Sequence, residues 1–383
     1  MRIGLICRPF SFHGGVETAT AGLLAALRHA GHDVELISTR RQADIPGLVV
    51  RRLPTLRHPS ALRLLSFALA ARGEAARHGY DLVQSHERAL RQDLYRAGEG
   101  CHRAYLEAMG RQPGGNPYHR LVLALEGRIF RLQAARHVVA ISRQGKEEIE
   151  RRYGTDPDRV TLVYNGVDLE RFHPDNRGRY RRRTREVLGI PEDAWTVLFV
   201  GSGFERKGLG PLLEAFARGA DASGRLVVTG KGDVPRYQSL AARLGLAERV
   251  SWTGPQPAVE RLYAAADAVA LPALYEPFGN VHLEALASGV PVLSSARAGG
   301  SEVVRRGENG WVAADPTAGP IAEGLAGLRD APAGGWASRT RASVERFTYA
   351  AQAQAFTAIY RGLGGSAPEG RPGEGTSQTP DFH

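Results

Sequence analysis

Short apolar segments rich in Val, Leu and Ile alternate with helical stretches along this chain, and the alternation runs twice. The first series predicts strands over Arg2–Cys7, Asp33–Ser38, Leu48–Leu53, Leu82–Ser85, Asp93–Ala97, His137–Ile141 and Thr161–Tyr164. The second predicts Val197–Val200, Arg225–Val228, Val250–Trp252, Ala268–Leu271, Pro291–Ser295 and Trp311–Ala313. Between the first two strands, Val16–His29 carries Leu23, Leu24 and Leu27 on one helical face. Strands separated by helices cannot pair as hairpins, so each series implies a parallel, doubly wound sheet. A chain of 383 residues suits two such units. The turn Asn165–Asp168 is followed by the polar stretch Asp175–Arg185, which is the expected hinge. From Arg339 to about Arg361 the pattern reads as one last helix. The Gly-, Ser- and Pro-rich tail Gly364–His383 is expected to be disordered. The expected division is therefore 1–172, 173–345, a crossing helix at 346–363 and the tail 364–383.

Composition narrows the class. Hydrophobic residues make up 43% and charged residues 23%, as in a soluble globular protein. The apolar run Leu64–Ala71 is far below the roughly 20 residues of a membrane span. Ile3–Cys7 is too short for the core of a signal peptide. Two cysteines make no disulfide framework, so the cytoplasm is the expected compartment. The net charge of +10 comes almost wholly from arginine, since Lys146, Lys207 and Lys231 are the only lysines. A basic chain attracts nucleotides, membrane surfaces and phosphorylated glycans.

Three loops carry the chemistry. Glu276 and Glu284 lie eight residues apart across a loop-to-helix junction, after the apolar strand that ends in Pro272. Pro277 and Gly279 break the chain, and Asn280 is the expected cap of a helix from Val281 to about Ala287. Such a crevice at the carboxyl ends of strands binds ligands, and two carboxylates suit sugar hydroxyls. Glutamates near a helix start also occur for dipole reasons alone. The second loop, Gly201–Gly208, sets Arg206 and Lys207 beside a helix start, with Gly203 allowing close backbone approach. That pair can neutralise a diphosphate and stabilise the charge that grows on it as it leaves. The third loop carries His13, Gly14 and Gly15 at the end of the first strand, without the Gly-x-Gly-x-x-Gly fingerprint of dinucleotide sites.

Gly14-Gly15, the segment Val163–Phe172, Gly201–Gly208, Gly230–Gly232, Ala266-Asp267, Glu276–Glu284 and Gly299–Glu302 occur in the order seen in the retaining glycosyltransferases of family 4. Over about residues 1–362 the chain resembles that family, and within it the lipopolysaccharide-core glucosyltransferases. The resemblance rests further on Asp93–Glu99, Gly203–Gly208 and Pro272–Glu276. It implies the α/β GT-B fold: two facing Rossmann-like domains with parallel sheets, and a C-terminal helix crossing back to the N-terminal domain. It implies a UDP-sugar donor, UDP-glucose by preference, a lipid-linked glycan acceptor, retention of anomeric configuration, and neither cofactor nor metal. No Asp-x-Asp lies near the expected donor site. Where the family has a Gly-Gly-x-Pro-Glu motif, this chain reads Gly299-Gly300-Ser301-Glu302.

On that resemblance the catalytic set is Glu99, Arg206, Lys207 and Glu276. The donor set is Gly14, Gly15, Gly203, Arg206, Lys207, Glu276, Phe278, Gly279, Asn280 and Glu284, with base contacts around Thr253–Gln256. Glu284 is assigned to the ribose and Glu276 to the transferred sugar. Acceptor contacts fall to His13, His86 and Glu99. Many family members have a histidine near the position of Glu99, whereas the core glucosyltransferases are acidic there. The segment 102–136 surrounds Leu121, Leu125, Ile129 and Leu132 with arginines and adds Tyr105 and Tyr118. It reads either as a core-facing helix or as a peripheral contact with the inner face of the cytoplasmic membrane. Three other functions fit less of the chain: a family 4 transferase for a capsule or exopolysaccharide, a UDP-sugar epimerase of the same fold, and a basic membrane or nucleic-acid scaffold. Nucleic acid is not an expected partner.

Overall fold

The computed structural model describes residues 1–10, 15–219, 223–331 and 336–364. The N-terminal sheet is β1 (Arg2–Ile6), β2 (Asp33–Thr39), β3 (Val50–Leu53), β4 (Leu82–Ser85), β5 (Gln92–Arg96), β6 (Ala135–Ala140) and β7 (Val160–Leu162). Its order is β3-β2-β1-β4-β5-β6-β7, and every pairing is parallel. The crossovers are α1 (Gly15–His29), α2 (Ser60–Arg77), α3 (His102–Ala108), α4 (Pro117–Phe130) and α5 (Arg143–Tyr153). The second sheet is β8 (Thr196–Val200), β9 (Arg225–Thr229), β10 (Val250–Gly254), β11 (Ala268–Leu271), β12 (Val292–Ser295) and β13 (Gly310–Ala313), in the parallel order β10-β9-β8-β11-β12-β13. Its helices are α6 (Asn176–Leu188), α7 (Leu209–Gly219), α8 (Val234–Arg243), α9 (Val259–Ala265), α10 (Val281–Ala287), α11 (Ala318–Asp330) and α12 (Trp336–Val344). The chain then crosses back as α13 (Tyr349–Gly362). Both sheets reverse direction of winding next to their first strand, between β1 and β4 and between β8 and β11. In such sheets that switch point opens a crevice at the carboxyl ends.

Two expectations change. The polar stretch 175–185 is no hinge but most of α6. Arg177, Arg181 and Arg185 recur every fourth residue, and all three guanidiniums donate to the Asp267 carboxylate at 3.0, 2.8 and 2.7 Å. Arg185 is buried and also donates to the carbonyls of Ala265, Pro191, Glu192 and Ala194. A helix face built from ion pairs has no apolar period, so hydropathy reads it as a linker. The last helical stretch is two helices. Thr348 ends the intervening segment and caps α13, its hydroxyl accepting from the Ala351 N–H.

The crossing helix is held by packing. Ala353, Phe356 and Tyr360 are buried in one cluster with Ile3, Leu5, Leu23 and Leu27 of the N-terminal sheet and α1. The Tyr349 ring fills the space where a side chain on Gly22 would project, and the Tyr349 backbone and ring edge close that of Gly166. Tyr360 donates its hydroxyl proton to the Gln84 amide oxygen. Phe356 is fully buried, so Phe356→Ala should cost about 3–5 kcal/mol in denaturant unfolding. A loss below about 1 kcal/mol would mean that α13 is only loosely seated on the sheet.

Candidate active site

The loops leaving β8 and β11 flank the second sheet's switch point and carry the basic pair and Glu276. The Leu274 and Tyr275 N–H groups converge on Arg206 O at 2.8 and 3.5 Å, and Arg206 Nη1 donates back to Tyr275 O at 2.9 Å. Gly208 adopts φ +77°, and a Cβ there would lie 1.9 Å from Pro272 O, so the two loops touch backbone to backbone. At Gly201 (φ +152°) the Lys207 side chain runs across the position a Cβ would take. Glu276 Oε2 accepts from Arg206 Nη1 at 2.8 Å and Lys207 Nζ at 2.7 Å. Burial opposes ionisation of Glu276, but the Lys207 and Arg206 cations outweigh it and hold its carboxyl at about 2. Glu276, expected to face the transferred sugar, is in this structure the counter-ion of the basic pair.

Further along, Phe278 is fully buried and Gly279 has φ +81°. Asn280 stands at the N-cap position of α10 with helical dihedrals, and its side chain makes no capping hydrogen bond. Its Oδ1 instead accepts from Asn165 Nδ2 at 2.6 Å. Capping needs an extended residue, and the bend imposed by Pro277 and Gly279 leaves Asn280 already helical. Glu284 lies one turn into α10, where Tyr263 donates to its Oε2 at 2.7 Å and burial raises its pKa. His282 is buried between Gly279 O and Ser294 Oγ, and desolvation lowers its pKa to about 4.

The facing wall comes from the N-terminal sheet. Glu99, just past β5, accepts from Arg8 Nη2 and, at 2.6 Å, from Arg88 Nη1. Burial opposes its ionisation, yet Arg8 and Arg88 bring its carboxyl down to about 2. Arg88 also donates to the buried Glu126 at 2.8 Å, and Glu126 accepts from Tyr153 at 2.7 Å and from the His102 N–H at 2.7 Å. His86 does not reach the crevice. It is buried, with Nδ1 3.0 Å from Thr20 Oγ1 and Nε2 2.7 Å from Gln84 Nε2, and desolvation lowers its pKa far below the ordinary value. A strand-end histidine can point either way, and this one turns into the core. Gly15 opens α1, whereas His13 and Gly14 lie outside the described residues, as does the tail 365–383.

Two cavities meet between the walls. One, of about 420 Å³, is lined by Gly201, Arg206, Lys207, Asn280 and Glu284, with Pro255–Pro257 at one end. The other, of about 500 Å³, is lined by His102, Tyr105, Tyr118, Tyr237, Arg111 and Arg236, and its wall includes Gly203. Gly98, Glu99, Arg206 and Glu276 line both. Tyr105 and Tyr118 thus face this cleft. One apolar face of α4 points inward, with Val122, Leu125, Ile129 and Phe130 buried, and Leu121 partly so. Leu132 lies beyond the helix end and is exposed. Among the described residues no group of three or more His, Cys, Asp or Glu side chains is arranged to hold a metal ion.

Several residues at the site were not singled out by sequence. Arg8 and Arg88 follow strand ends within three residues, a signal that position alone could have supplied. Arg96 is buried at the end of β5 with Nη2 on Asn165 Oδ1 at 2.6 Å, while its Nε and Nη1 have no hydrogen-bond partner. Desolvation lowers its pKa to about 10, so it stays charged at neutral pH. Tyr275 reaches from the second unit into the first, where its hydroxyl accepts from the Cys101 N–H at 2.9 Å and lies 3.0 Å from Glu148 Oε2. Glu302 caps α5 of the first unit, taking the N–H groups of Arg143 and Gln144 at 2.9 and 2.8 Å and the Tyr164 hydroxyl at 2.8 Å. The Gly-Gly-Ser-Glu variant therefore serves as a clamp between the two halves.

Because Glu276 titrates far below the ordinary carboxylate range when folded, its ion pairs stabilise the protein fully near neutrality. That contribution fades as pH falls from about 5 toward 2. Thermal melts of wild type and Glu276→Gln should therefore differ most at neutral pH and converge on acidification. A difference that stays constant with pH would assign the stabilisation to packing.

Residues 180–343 match the glycosyl transferases group 1 family, and residues 13–171 match Glycosyltransferase Family 4. A probable transglycosylase of Burkholderia thailandensis is 31% identical over 302 residues, spanning 78% of both chains. The lipopolysaccharide glucosyltransferase WaaG of Escherichia coli is 25% identical over 311 residues, 79% of this chain and 82% of that one. A crystal structure of WaaG superposes with a TM-score of 0.82 at 24% identity, covering 94% of this chain and all of the other. Anabaena Alr3699/HepE in complex with UDP-glucose superposes with a TM-score of 0.75 at 20% identity, again over 94% of this chain and 100% of that chain.

Proposed function

From the premise that the chain is a family 4 glycosyltransferase of the GT-B type, we propose that it transfers a hexose, with retention and without a metal, from UDP-glucose to a lipid-linked glycan of the lipopolysaccharide-core kind. The observation that carries this reading is the meeting of two cavities at Glu99, Arg206 and Glu276. The 420 Å³ cavity has the basic pair, the start of α10 and the half-buried Glu284, a set suited to a nucleoside diphosphate sugar. In this reading the ribose hydroxyls donate to Glu284, whose other oxygen Tyr263 already holds. The base lies against Pro255–Pro257. The 500 Å³ cavity, walled by four tyrosines and His102, takes the acceptor sugar on its aromatic faces. Support for glucose comes from HepE, which binds UDP-glucose, and from the WaaG likeness.

The chemistry follows from the charges. As the bond between the anomeric carbon and the phosphate oxygen breaks, negative charge grows on the diphosphate. Arg206 and Lys207 meet it, releasing Glu276 toward the sugar hydroxyls. The acceptor hydroxyl forms the new bond on the same face and gives its proton to the departing phosphate oxygen. Glu99, with a carboxyl at about 2, is too weak a base to keep that proton. Its part is to orient the acceptor.

Mass spectrometry of lipid-A core fragments incubated with a panel of nucleotide sugars tests the donor and the acceptor together. An added hexose only with UDP-glucose is the expected result, and release of free sugar with no extension on any acceptor would reject it. Lys207→Ala should lower transfer by about a hundredfold or more while the fold persists, since Glu276 keeps Arg206. Near-normal turnover would remove Lys207 from the mechanism. Transfer should also survive exhaustive chelation, and recovery of a chelated, inactive enzyme by magnesium or manganese would overturn the metal-free route.

A further inference from the structure

Six large apolar residues are exposed among those described, and four of them, Val49, Leu56, Leu62 and Leu69, fall within one stretch of 21 residues. Leu62, Ser66 and Leu69 share one stripe of α2 by helical spacing. The Leu56 N–H donates to Ser66 Oγ at 3.0 Å, which brings the loop leucine onto the same stripe. A side chain at Gly73, the next position along it, would meet nothing within 4 Å, so the stripe is open. Arg63 and Arg72 flank it at roughly 80–100° on either side, taking about 100° per residue. Both are exposed, as is Arg57 beside Leu56, and none of the three makes an ion pair among the described residues. From Ile45 to Gly73 the sequence has arginines at 51, 52, 57, 63 and 72 and no carboxylate.

We propose that this face of α2 with the preceding loop docks on an anionic lipid surface. Leucines 56, 62 and 69 would enter the boundary between headgroups and acyl chains, and arginines 57, 63 and 72 would pair with lipid phosphates. Charge selects this occupant. In a two-fold contact with a second copy, the same arginines would face one another with no carboxylate between them. The place in the fold also matters. β3 ends at Leu53, so Leu56 and the start of α2 lie at the carboxyl-end side of the sheet, where the crevice opens. Docking there turns the crevice mouth toward the lipid. The site is distinct from 102–136, where Val122, Leu125, Ile129 and Phe130 of α4 are buried and Leu132 alone among the large apolar residues is exposed.

Co-sedimentation of the full chain with phosphatidylglycerol-containing vesicles tests the proposal without any sugar substrate, and so independently of the transfer reaction. Wild type should bind these vesicles, bind pure phosphatidylcholine weakly, and release in high salt. The double variant Leu62→Ser, Leu69→Ser should bind at least about tenfold less. Arg57→Ser, Arg63→Ser and Arg72→Ser combined should abolish the preference for the anionic lipid, at about fivefold per arginine. All these residues are exposed, and unchanged thermal melts check that the variants fold. Leu132→Ser is the control and should bind like wild type. The proposal fails if wild type ignores the vesicles, if both α2 variants bind normally, or if Leu132→Ser loses as much. It also fails if light scattering finds a dimer that the double leucine variant dissolves.

Discussion

The buried ion triad of Glu276 with Arg206 and Lys207 is the interaction on which the crevice depends. It joins the loops leaving the paired strands β8 and β11, beyond the end of their ladder. One carboxylate facing two cations leaves one positive charge over, borne by the pair of Lys207 and the partly exposed Arg206, and removing Glu276 would leave both cations without a counter-ion. The same arrangement is suited to change. A dianionic ligand can replace Glu276 as the counter-ion, so the site is held in shape by a contact that ligand charge can displace. Tyr275, one residue earlier, is seated in the first unit's core, so the loop that carries Glu276 is anchored in both halves.

The opposite wall solves its charge problem in a different way. Glu99, Arg8, Arg88, Glu87 and Glu126 alternate in sign through a connected set of hydrogen bonds, and Tyr153 and the His102 N–H satisfy the buried end. A network with every member paired stays rigid. Arg96 is the exception. It is buried without a carboxylate and spans toward Asn280 through Asn165, so one cation on this side is matched by no protein anion. Unmatched buried charge is rare outside functional sites. Glu302 and the crossing helix α13 complete the link between the halves through a helix cap and an apolar seat.

Much of this was legible from residue order. The alternation of apolar strands and helices led to two parallel sheets, because periodicity is a local property and parallel sheets leave continuous buried runs. Lys207 and Glu276 could be singled out because both sit where a strand gives way to a glycine-rich loop. Local pattern failed where structure is stabilised by charge or by distant partners. α6 has no apolar period, since its buried face is an arginine row answered by Asp267 some eighty residues away. Asn280 looks like a cap, but a bend two residues earlier changes its dihedrals and hands its side chain to Asn165. His86 sits at the expected strand end, yet its inward turn depends on Thr20, 66 residues away, which meets one ring nitrogen while Gln84 meets the other.

The sequence by itself determined the fold class and the family, and it located the loops that carry the chemistry. These follow from spacing, turn residues and side-chain type along contiguous stretches. The tertiary structure alone decided the partners. Glu276 neutralises the cations it was expected to accompany, Glu99 lies between two arginines, Glu302 caps a helix of the other unit, and three of the exposed leucines cluster on α2 and the loop before it, with Leu132 alone in 102–136. The physical reason is that charge pairing and burial depend on distance in space, and most of these partners, from 69 to 159 residues apart along the chain, meet only once both sheets have formed.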